Sequence, residues 1–316
     1  MCMPSSLNSV DTFLDYELGN DKDISLGTYD YYLRKYDRVP MTVHDARGYE
    51  SLFSLDRNAF EFVKHESKIA NGADNWTEEA IKVVAYPEIV ELIKQRTGAT
   101  HVIPVSHRVR HNTFQSVVDK ARIAHETGKG MDHIGSDAPP SYMVHVDQSY
   151  DGAPCWLRDN RSTAPPDASR SAIINVWRPL RQVHRDPFAV CDGSTVPDSD
   201  LIPMRTLLSN GNGGRYAGLI QPGGGDEMEL WVVKRAAEGK KQHHWWYLHE
   251  MNPDEVVLLK CFDSDTSRCR RAPHCGFEDP KYGGEEWAAR ESLEVRCAVF
   301  WADGEEEVEG GPVKSA

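Results

Sequence analysis

The most constraining feature of this chain is a series of short, β-branched segments in its later two thirds. They lie at 100–111, 141–150, 171–180, 244–251, 255–264 and 292–301. The loops between them are rich in Pro, Gly, Asp and Ser, and helices do not alternate with them as they do in βαβ units. The pattern therefore favours an antiparallel sandwich or jelly roll over a doubly wound parallel sheet.

Helical patterns lie mainly before this strand region. Segment 75–99 has apolar residues at helical spacing, Thr77 as a candidate cap and Gly98 as a terminator, and Pro87 is expected to divide it in two. Segment 114–126 is a second helical candidate. We predict an α+β, mainly β fold: a double-stranded β-helix (jelly-roll) core with a helical N-terminal covering.

The length of the chain is compatible with one elaborated domain. Its 316 residues could hold about two average domains, but β-barrels and sandwiches often fold as one larger unit. We predict a flexible N-terminus at 1–24 and a single domain at 25–302, whose jelly-roll core covers about 100–302. The acidic segment 303–316 has no apolar period and is predicted to be a disordered tail.

The charge of the chain limits its partners. The formal net charge is −13, whereas nucleic acids and anionic membranes are bound by clustered Lys and Arg, so neither is expected as a partner. No apolar run approaches the roughly 18 residues of a membrane span, and no signal-peptide pattern is visible. Seven scattered cysteines are typical of reduced thiols, so we predict a cytoplasmic protein. The oligomeric state stays open, with a homodimer as one alternative.

His145 and Asp147 form the motif with the most specific chemistry. They lie two residues apart in a predicted strand, so their side chains point to the same face. An imidazole and a carboxylate so placed can begin a facial triad, in which two histidines and one carboxylate leave three metal positions open. Alone, the H-x-D pattern is a weak indication, and a polar strand end is its commoner meaning.

A second, distal histidine is needed to complete such a triad. The candidates are His184, His243, His244, His249 and His274. His243 and His244 follow two lysines and are expected to be exposed, while His249 lies at a turn and His184 in a loop. His274 precedes the last predicted strand, where a jelly roll carries its distal ligand, and the sequence therefore favours it.

The last predicted strand contains candidate anion-binding groups. Four polar side chains alternate onto one of its faces: Arg290, Ser292, Glu294 and Arg296. A guanidinium can donate two parallel hydrogen bonds to a carboxylate, which makes both arginines candidate anchors. A surface ladder of salt bridges is the alternative, and the sequence does not choose between the two arginines.

Eight segments, which follow one another over most of the chain, resemble one protein family. They are RGYESLFSLDRNAFEF (47–62), TGATHVIPVSHRVR (97–110), HVDQS (145–149), IINVWRPL (173–180), DPFAVCD (186–192), MNPDEVVLLKCFDSD (251–265), APHCGFEDP (272–280) and RESLEVRCAVF (290–300). They are similar to the CmcJ-like and AsaB-like hydroxylase/desaturases of fungi and bacteria, which include gibberellin desaturase and endoperoxide-forming members. Matches in this order are more specific than any single motif.

The resemblance implies an iron(II)/2-oxoglutarate-dependent oxygenase of secondary metabolism on a jelly-roll core. Its cofactor would be Fe(II), with 2-oxoglutarate as cosubstrate and O₂ as oxidant. Carried over residue by residue, the resemblance implies that His145, Asp147 and His274 are the catalytic metal ligands. The cosubstrate arginine falls within RESLEVR, as Arg290 or Arg296.

Further residues are weaker candidates for roles at this site. Arg290 and Ser292 match the R-x-S cosubstrate anchor of some iron oxygenases, and Asn175 could hydrogen-bond the cosubstrate. Lys260 and Asp263 could support the metal ligands.

The expected reaction is hydrogen abstraction from a small molecule, either a secondary metabolite or an amino acid. It would give hydroxylation, desaturation or oxidative cyclisation. For an amino-acid substrate, Arg108, Arg110 or Arg178 could hold the carboxylate. The alternatives are a metal-dependent hydrolase or isomerase on a cupin-like barrel and a non-catalytic small-molecule binder. The substrate and the outcome stay open.

Overall fold

The fold is taken from a computed structural model. It describes residues 7–19, 24–25, 28–69, 76–128, 138–161, 164–207, 227–284 and 286–302. The strands in these ranges are β1 Ser9–Tyr16, β2 Ile24–Ser25, β3 Asp37–Asp45, β4 Phe60–Lys64, β5 His101–Arg110, β6 His145–Val146, β7 Ala168–Pro179, β8 Phe188–Cys191, β9 Leu201–Leu207, β10 Glu227–Val233, β11 Trp245–Tyr247, β12 Glu255–Asp263, β13 His274–Gly276 and β14 Ser292–Ala302. The α-helices are α1 Tyr29–Tyr32, α2 Leu55–Asn58, α3 Glu78–Ala80, α4 Tyr86–Thr97, α5 Phe114–Thr127 and α6 Gly152–Asp159.

Two sheets form the core. The larger has nine strands in the order β1-β3-β11-β8-β13-β6-β10-β9-β2, and the smaller has five in the order β4-β12-β7-β14-β5. Every pairing in the smaller sheet is antiparallel. Apolar side chains of the two sheets pack together, as Val146 and Trp231 do with Ile173 and Ala298. This arrangement confirms the predicted jelly-roll core.

The outer face of the smaller sheet is covered by the α3–α4 region. Thr77 accepts a hydrogen bond from the Ala80 amide, and Gly98 ends α4 in the left-handed conformation at φ 67°. The segment is divided into α3 and α4, and Pro87 lies in the first turn of α4, where a proline is tolerated. A π-helical turn, Ile81–Ala85, joins the two helices.

The N-terminal region contributes strands as well as the expected helices. β1, β3 and β4 all come from the first hundred residues. β1 lies inside the segment 1–24 that was predicted to be flexible, and that prediction is wrong for its described part. β1 pairs with β3 along its whole length and buries Leu14 and Tyr16. The predicted tail 303–316 lies outside the described residues, and the other domain bounds stay a prediction.

The described helices include none that is long and apolar enough to cross a membrane.

Candidate metal centre

Strand pairing brings His145 and His274 side by side. β6 and β13 are antiparallel neighbours in the larger sheet, and these two histidines are direct cross-strand partners. Their ring centroids are 4.5 Å apart. Asp147 follows β6, and one ligand atom from each of the three residues lies within 4.8 Å of the others. All three side chains belong to buried residues, so they could hold one metal ion between the sheets.

Backbone carbonyls orient both imidazole rings. The Nδ1 atom of His145 lies 2.7 Å from the carbonyl oxygen of Met143, and that of His274 lies 3.1 Å from the carbonyl oxygen of Ala272. A carbonyl oxygen can only accept, so Nδ1 carries the proton and Nε2 keeps its lone pair for a metal. Burial, and next the neighbouring His145, lower the pKa of His274 to about 4, which keeps this ring neutral at physiological pH.

The two oxygens of Asp147 have different surroundings. Oδ1 lies 3.5 Å from Nε2 of His145. Oδ2 accepts hydrogen bonds from Nε of Arg296 at 2.8 Å and from Nδ2 of Asn175 at 2.7 Å. Burial alone would raise the pKa of Asp147, but the Arg296 charge and the His145 contact outweigh it and hold this pKa well below its usual range. Asp147 is therefore ionised, with Oδ1 on the side of the histidines.

Glu294 shares the donors that hold Asp147. Arg296 donates from its second terminal nitrogen to Oε2 of Glu294 at 3.0 Å, and Asn175 donates to Oε1 at 3.0 Å. Arg296 and Asn175 face each other across β14 and β7, which explains how both reach the same two carboxylates. Burial lowers the pKa of Arg296, but the negative charges of Asp147 and Glu294 raise it by more than burial lowers it. Arg296 is therefore protonated.

A narrow cavity opens beside the two histidines. Its lining includes Trp177, Phe188 and Arg290 together with His145 and His274. The Trp177 and Phe188 rings stack at 4.7 Å with an interplanar angle of 12° and form an apolar wall.

Arg290 lines this cavity with a guanidinium whose donors are only partly paired among the described residues. It donates one hydrogen bond, from Nη1 to the carbonyl oxygen of Asp186 at 2.8 Å, and its carbon Cζ lies 5.3 Å from the Trp177 ring centroid. Its Nε is buried without a partner among the described residues. Burial lowers the pKa of Arg290. Ser292, two residues on, is buried at the start of β14.

Several residues singled out from the sequence lie elsewhere. His243 was expected to be exposed, and this is wrong: its Nε2 lies 3.2 Å from Oδ2 of Asp200, and its Nδ1 lies 3.1 Å from the Tyr16 hydroxyl. His184 packs 4.7 Å from the Trp287 ring. His249 packs against Tyr282, with the ring centroids 6.3 Å apart.

Lys260 and Asp263 do not contact the metal ligands in the described structure. The Lys260 ammonium is buried and lies 2.6 Å from Oδ2 of Asp263 and 3.0 Å from Oδ1 of Asp56. Arg170 pairs with the same Asp263 oxygen at 2.7 Å. This group ties β12 to β7 and α2, and its role is in stability.

Comparison with known proteins places the chain in a family. A family model described as an oxidoreductase/YMDC permease-like domain matches residues 16–300. The hydroxylase/desaturase efuI of Hormonema carpetanum is 34% identical over 311 residues, which cover 96% of this chain and 98% of that protein. The chain belongs to this hydroxylase/desaturase family. The resemblance expected from the sequence is thereby confirmed.

Other members of the hydroxylase/desaturase family match this chain over most of its length and have names of the same enzyme class. The hydroxylase/desaturase CTB9 of Cercospora beticola is 34% identical, over 93% of this chain and 86% of that protein. The alpha-ketoglutarate-dependent dioxygenase phiK of a fungal species is 31% identical, over 95% of this chain and all of that protein. Family membership makes the chain an oxidoreductase of the iron(II)/2-oxoglutarate-dependent dioxygenase class.

The fold of this chain also occurs among solved structures. The iron and alpha-ketoglutarate-dependent endoperoxidase NvfI matches with a TM-score of 0.65 and 21% identity, over 95% of this chain and all of that one. At this identity the likeness concerns the fold, and it agrees with the jelly-roll core described above.

Proposed function

We propose that His145, Asp147 and His274 hold Fe(II), and that the enzyme uses 2-oxoglutarate and O₂ to remove hydrogen from a small-molecule substrate. The observation that carries this proposal is the buried triad, whose ligand atoms lie within 4.8 Å of one another. Two imidazoles and one carboxylate are the donor set of non-haem Fe(II) oxygenases, which leaves coordination positions for a 2-oxo acid and O₂. The outcome would be hydroxylation, desaturation or oxidative cyclisation.

The protein's own residues prepare the site for this chemistry. When bound, Fe(II) together with 2-oxoglutarate supplies the activation of O₂ that hydrogen abstraction requires. Arg296 and Asn175 hold Asp147 ionised through Oδ2, which directs Oδ1 to the metal side. The stacked rings of Trp177 and Phe188 exclude water from one side of the cavity.

Arg290 is the better candidate for the cosubstrate anchor. Arg296 already divides its donors between Asp147 and Glu294, so it has little left for a ligand carboxylate. Arg290 lines the cavity, and its Nε has no described partner. We assign Arg290, with the neighbouring Ser292, to the distal carboxylate of 2-oxoglutarate. Asn175 is assigned to Asp147 instead.

The sequence is also compatible with two other functions. A metal-dependent hydrolase or isomerase on a similar barrel could use the same three ligands but would need no 2-oxoglutarate. A non-catalytic binder would need neither the ligands nor Arg290. The family relatives and the pairing of the triad with Arg290 favour the oxygenase.

Anaerobic titration of the purified protein with Fe(II) and 2-oxoglutarate tests this function. We expect a weak visible charge-transfer band, which His145→Ala should abolish. His249→Ala is the matched control, because His249 packs against Tyr282 and contributes nothing to the triad, and the band should persist in it. Absence of the band in the intact protein would overturn the proposal.

The cellular compartment and the oligomeric state of the enzyme are further parts of this proposal. We propose a cytoplasmic protein, and six free cysteines in the described residues support this. A homodimer stays one alternative for its oligomeric state.

A further inference from the structure

Arg110 adds a second guanidinium to the wall of the metal cavity. It is the last residue of β5, where it lies opposite Ser292 of β14 in the smaller sheet. It lines the same cavity as His145, His274 and Arg290. The position of Arg110 follows from strand register, since β5 is an edge strand beside the strand that Arg290 precedes.

The Arg110 guanidinium has little to bind in the described structure. Its one hydrogen bond there goes from Nη1 to the carbonyl oxygen of Pro139. Glu294 is the carboxylate that raises the pKa of Arg110 most, but the Glu294 oxygens accept from Arg296 and Asn175. Burial lowers the pKa of Arg110. An enclosed cation costs several kcal/mol unless a counter-charge compensates it, so this arrangement indicates an anion that enters the cavity.

A hydroxyl group lines the same cavity as Arg110, that of Ser141. The Ser141 side chain is also hydrogen-bonded to Tyr31, whose pKa burial raises and the Arg110 charge lowers. A guanidinium with neighbouring hydroxyl donors is suited to a carboxylate or another planar oxyanion.

The charges of the cavity point the same way. Among the described residues, Arg110, Arg290 and Arg296 face two carboxylates there, those of Asp147 and Glu294. Asp186 lies behind Arg290, but Arg185 compensates it at 3.7 Å. Bound Fe(II) and the dianion of 2-oxoglutarate would cancel each other. One positive charge is then left without a counter-charge among the described residues, and with Arg290 assigned to 2-oxoglutarate it is the charge of Arg110.

The other two arginines that could hold a substrate carboxylate are less suitable. Arg178 donates to the carbonyl oxygens of His65 and Pro253, at 2.8 and 2.6 Å, and these bonds direct it away from the cavity. Arg108 is not among the described residues that line the cavity. Of the three arginines that the sequence offered for a substrate carboxylate, Arg110 is therefore the one that fits.

We propose that Arg110, with the Ser141 hydroxyl, binds a carboxylate of the organic substrate while Arg290 binds that of 2-oxoglutarate. The substrate class is thus a small organic acid with an apolar portion that packs on Trp177 and Phe188. The proposal rests on the proposed function, because the two ligands would share the iron site.

The test uses the enzyme loaded anaerobically with Fe(II) and 2-oxoglutarate. Phenylacetate, decanoate and N-acetylphenylalanine are titrated by calorimetry, each beside its neutral primary amide. In the wild-type protein at least one acid should bind more tightly than its amide. Arg110→Gln should weaken that acid about 10–100-fold, the range expected for a lost charged hydrogen bond. The affinity for the amide and for 2-oxoglutarate should stay unchanged.

Arg108→Gln is the matched control, since it removes the same charge two residues earlier on β5. Equal acid affinity in wild type and Arg110→Gln would overturn the proposal, as would a panel in which no acid is preferred over its amide. Loss of 2-oxoglutarate binding in Arg110→Gln would also overturn it and make Arg110 the cosubstrate anchor. The charge-transfer band is measured before any acid is added, so failure of the proposed function itself is seen separately.

Discussion

Arg296 donates a hydrogen bond of 2.8 Å to Oδ2 of Asp147, so a buried arginine holds the carboxylate of the candidate metal triad. The same guanidinium also binds Glu294 at 3.0 Å. Arg296 is therefore a positioning residue that keeps two enclosed carboxylates ionised and fixed. It acts on the metal site through Asp147.

Removal of the Arg296 charge should destabilise the fold. Arg296→Met leaves Asp147 and Glu294 without the cation that is hydrogen-bonded to both, and breaking such a buried pair costs about 3–5 kcal/mol. The free energy of unfolding, measured by urea denaturation of the metal-free protein, gives this value. Adding Glu294→Gln to that variant should recover part of the loss, because one of the two uncompensated charges disappears. A double variant no more stable than Arg296→Met would contradict this account.

Asn175 should affect metal affinity more than stability. Asn175→Ala removes the second donor to Oδ2 of Asp147, and losing such a support commonly weakens metal binding about 10–100-fold. Titration with Co(II), followed by its visible absorption, measures the affinity without turnover. Asn160→Ala is the control, since Asn160 bonds to the Trp156 carbonyl in α6, and it should titrate like wild type.

Arg290 should determine the affinity for 2-oxoglutarate. Arg290→Gln removes the charged donors of the proposed anchor, so the dissociation constant for 2-oxoglutarate should rise about 10–100-fold. The affinity for Co(II) alone should not change, because Arg290 makes no contact with the triad carboxylate. An unchanged dissociation constant for 2-oxoglutarate in Arg290→Gln would move the anchor elsewhere in the cavity.

His243 should make stability depend on pH. Burial lowers the pKa of His243 below its ordinary value of 6.5, so the unfolded chain binds this proton more tightly than the native protein. The stabilisation that comes from burying neutral His243 is therefore fully present above the pKa of this histidine in the unfolded chain. It is lost as the pH falls from that pKa towards the lower pKa of the folded protein. Urea midpoints at about pH 7.5 and about pH 5.5 should differ less in His243→Gln than in wild type. Equal differences in both proteins would disprove this assignment.

Lys260 offers a direct comparison of a buried and an exposed ion pair. Lys260→Met removes one of the two cations that pair with the buried Asp263, and Arg170 stays as the other, so we expect a loss of about 1–3 kcal/mol in urea denaturation. Lys82→Met breaks a pair with Glu78 in which both side chains are exposed, 53% for the lysine and 71% for the glutamate. That control should cost about 0–1 kcal/mol. Similar losses in both variants would show that burial does not determine the cost.

Local patterns predicted the elements that depend on neighbouring residues. The cap at Thr77 and the terminator at Gly98 are where the sequence placed them. β5, β7, β12 and β14 coincide closely with segments chosen for their β-branched residues. β1 was missed because each face of Ser9–Tyr16 mixes polar and apolar residues, with Phe13 exposed and Thr12 buried, and because its burial comes from pairing with β3. The same limit explains His243, whose neighbouring lysines suggested exposure.

The sequence by itself determined the strand-rich class of the fold, the shared face of His145 and Asp147, and the family resemblance. These follow from side-chain alternation and residue order, which are properties of the chain before it folds. The tertiary structure alone decided that His274 lies opposite His145, that Arg296 binds Asp147, and that Arg110 enters the same cavity as Arg290. The physical reason is strand register: hydrogen-bonded pairing between distant segments selects which side chains meet, and no local pattern encodes that choice.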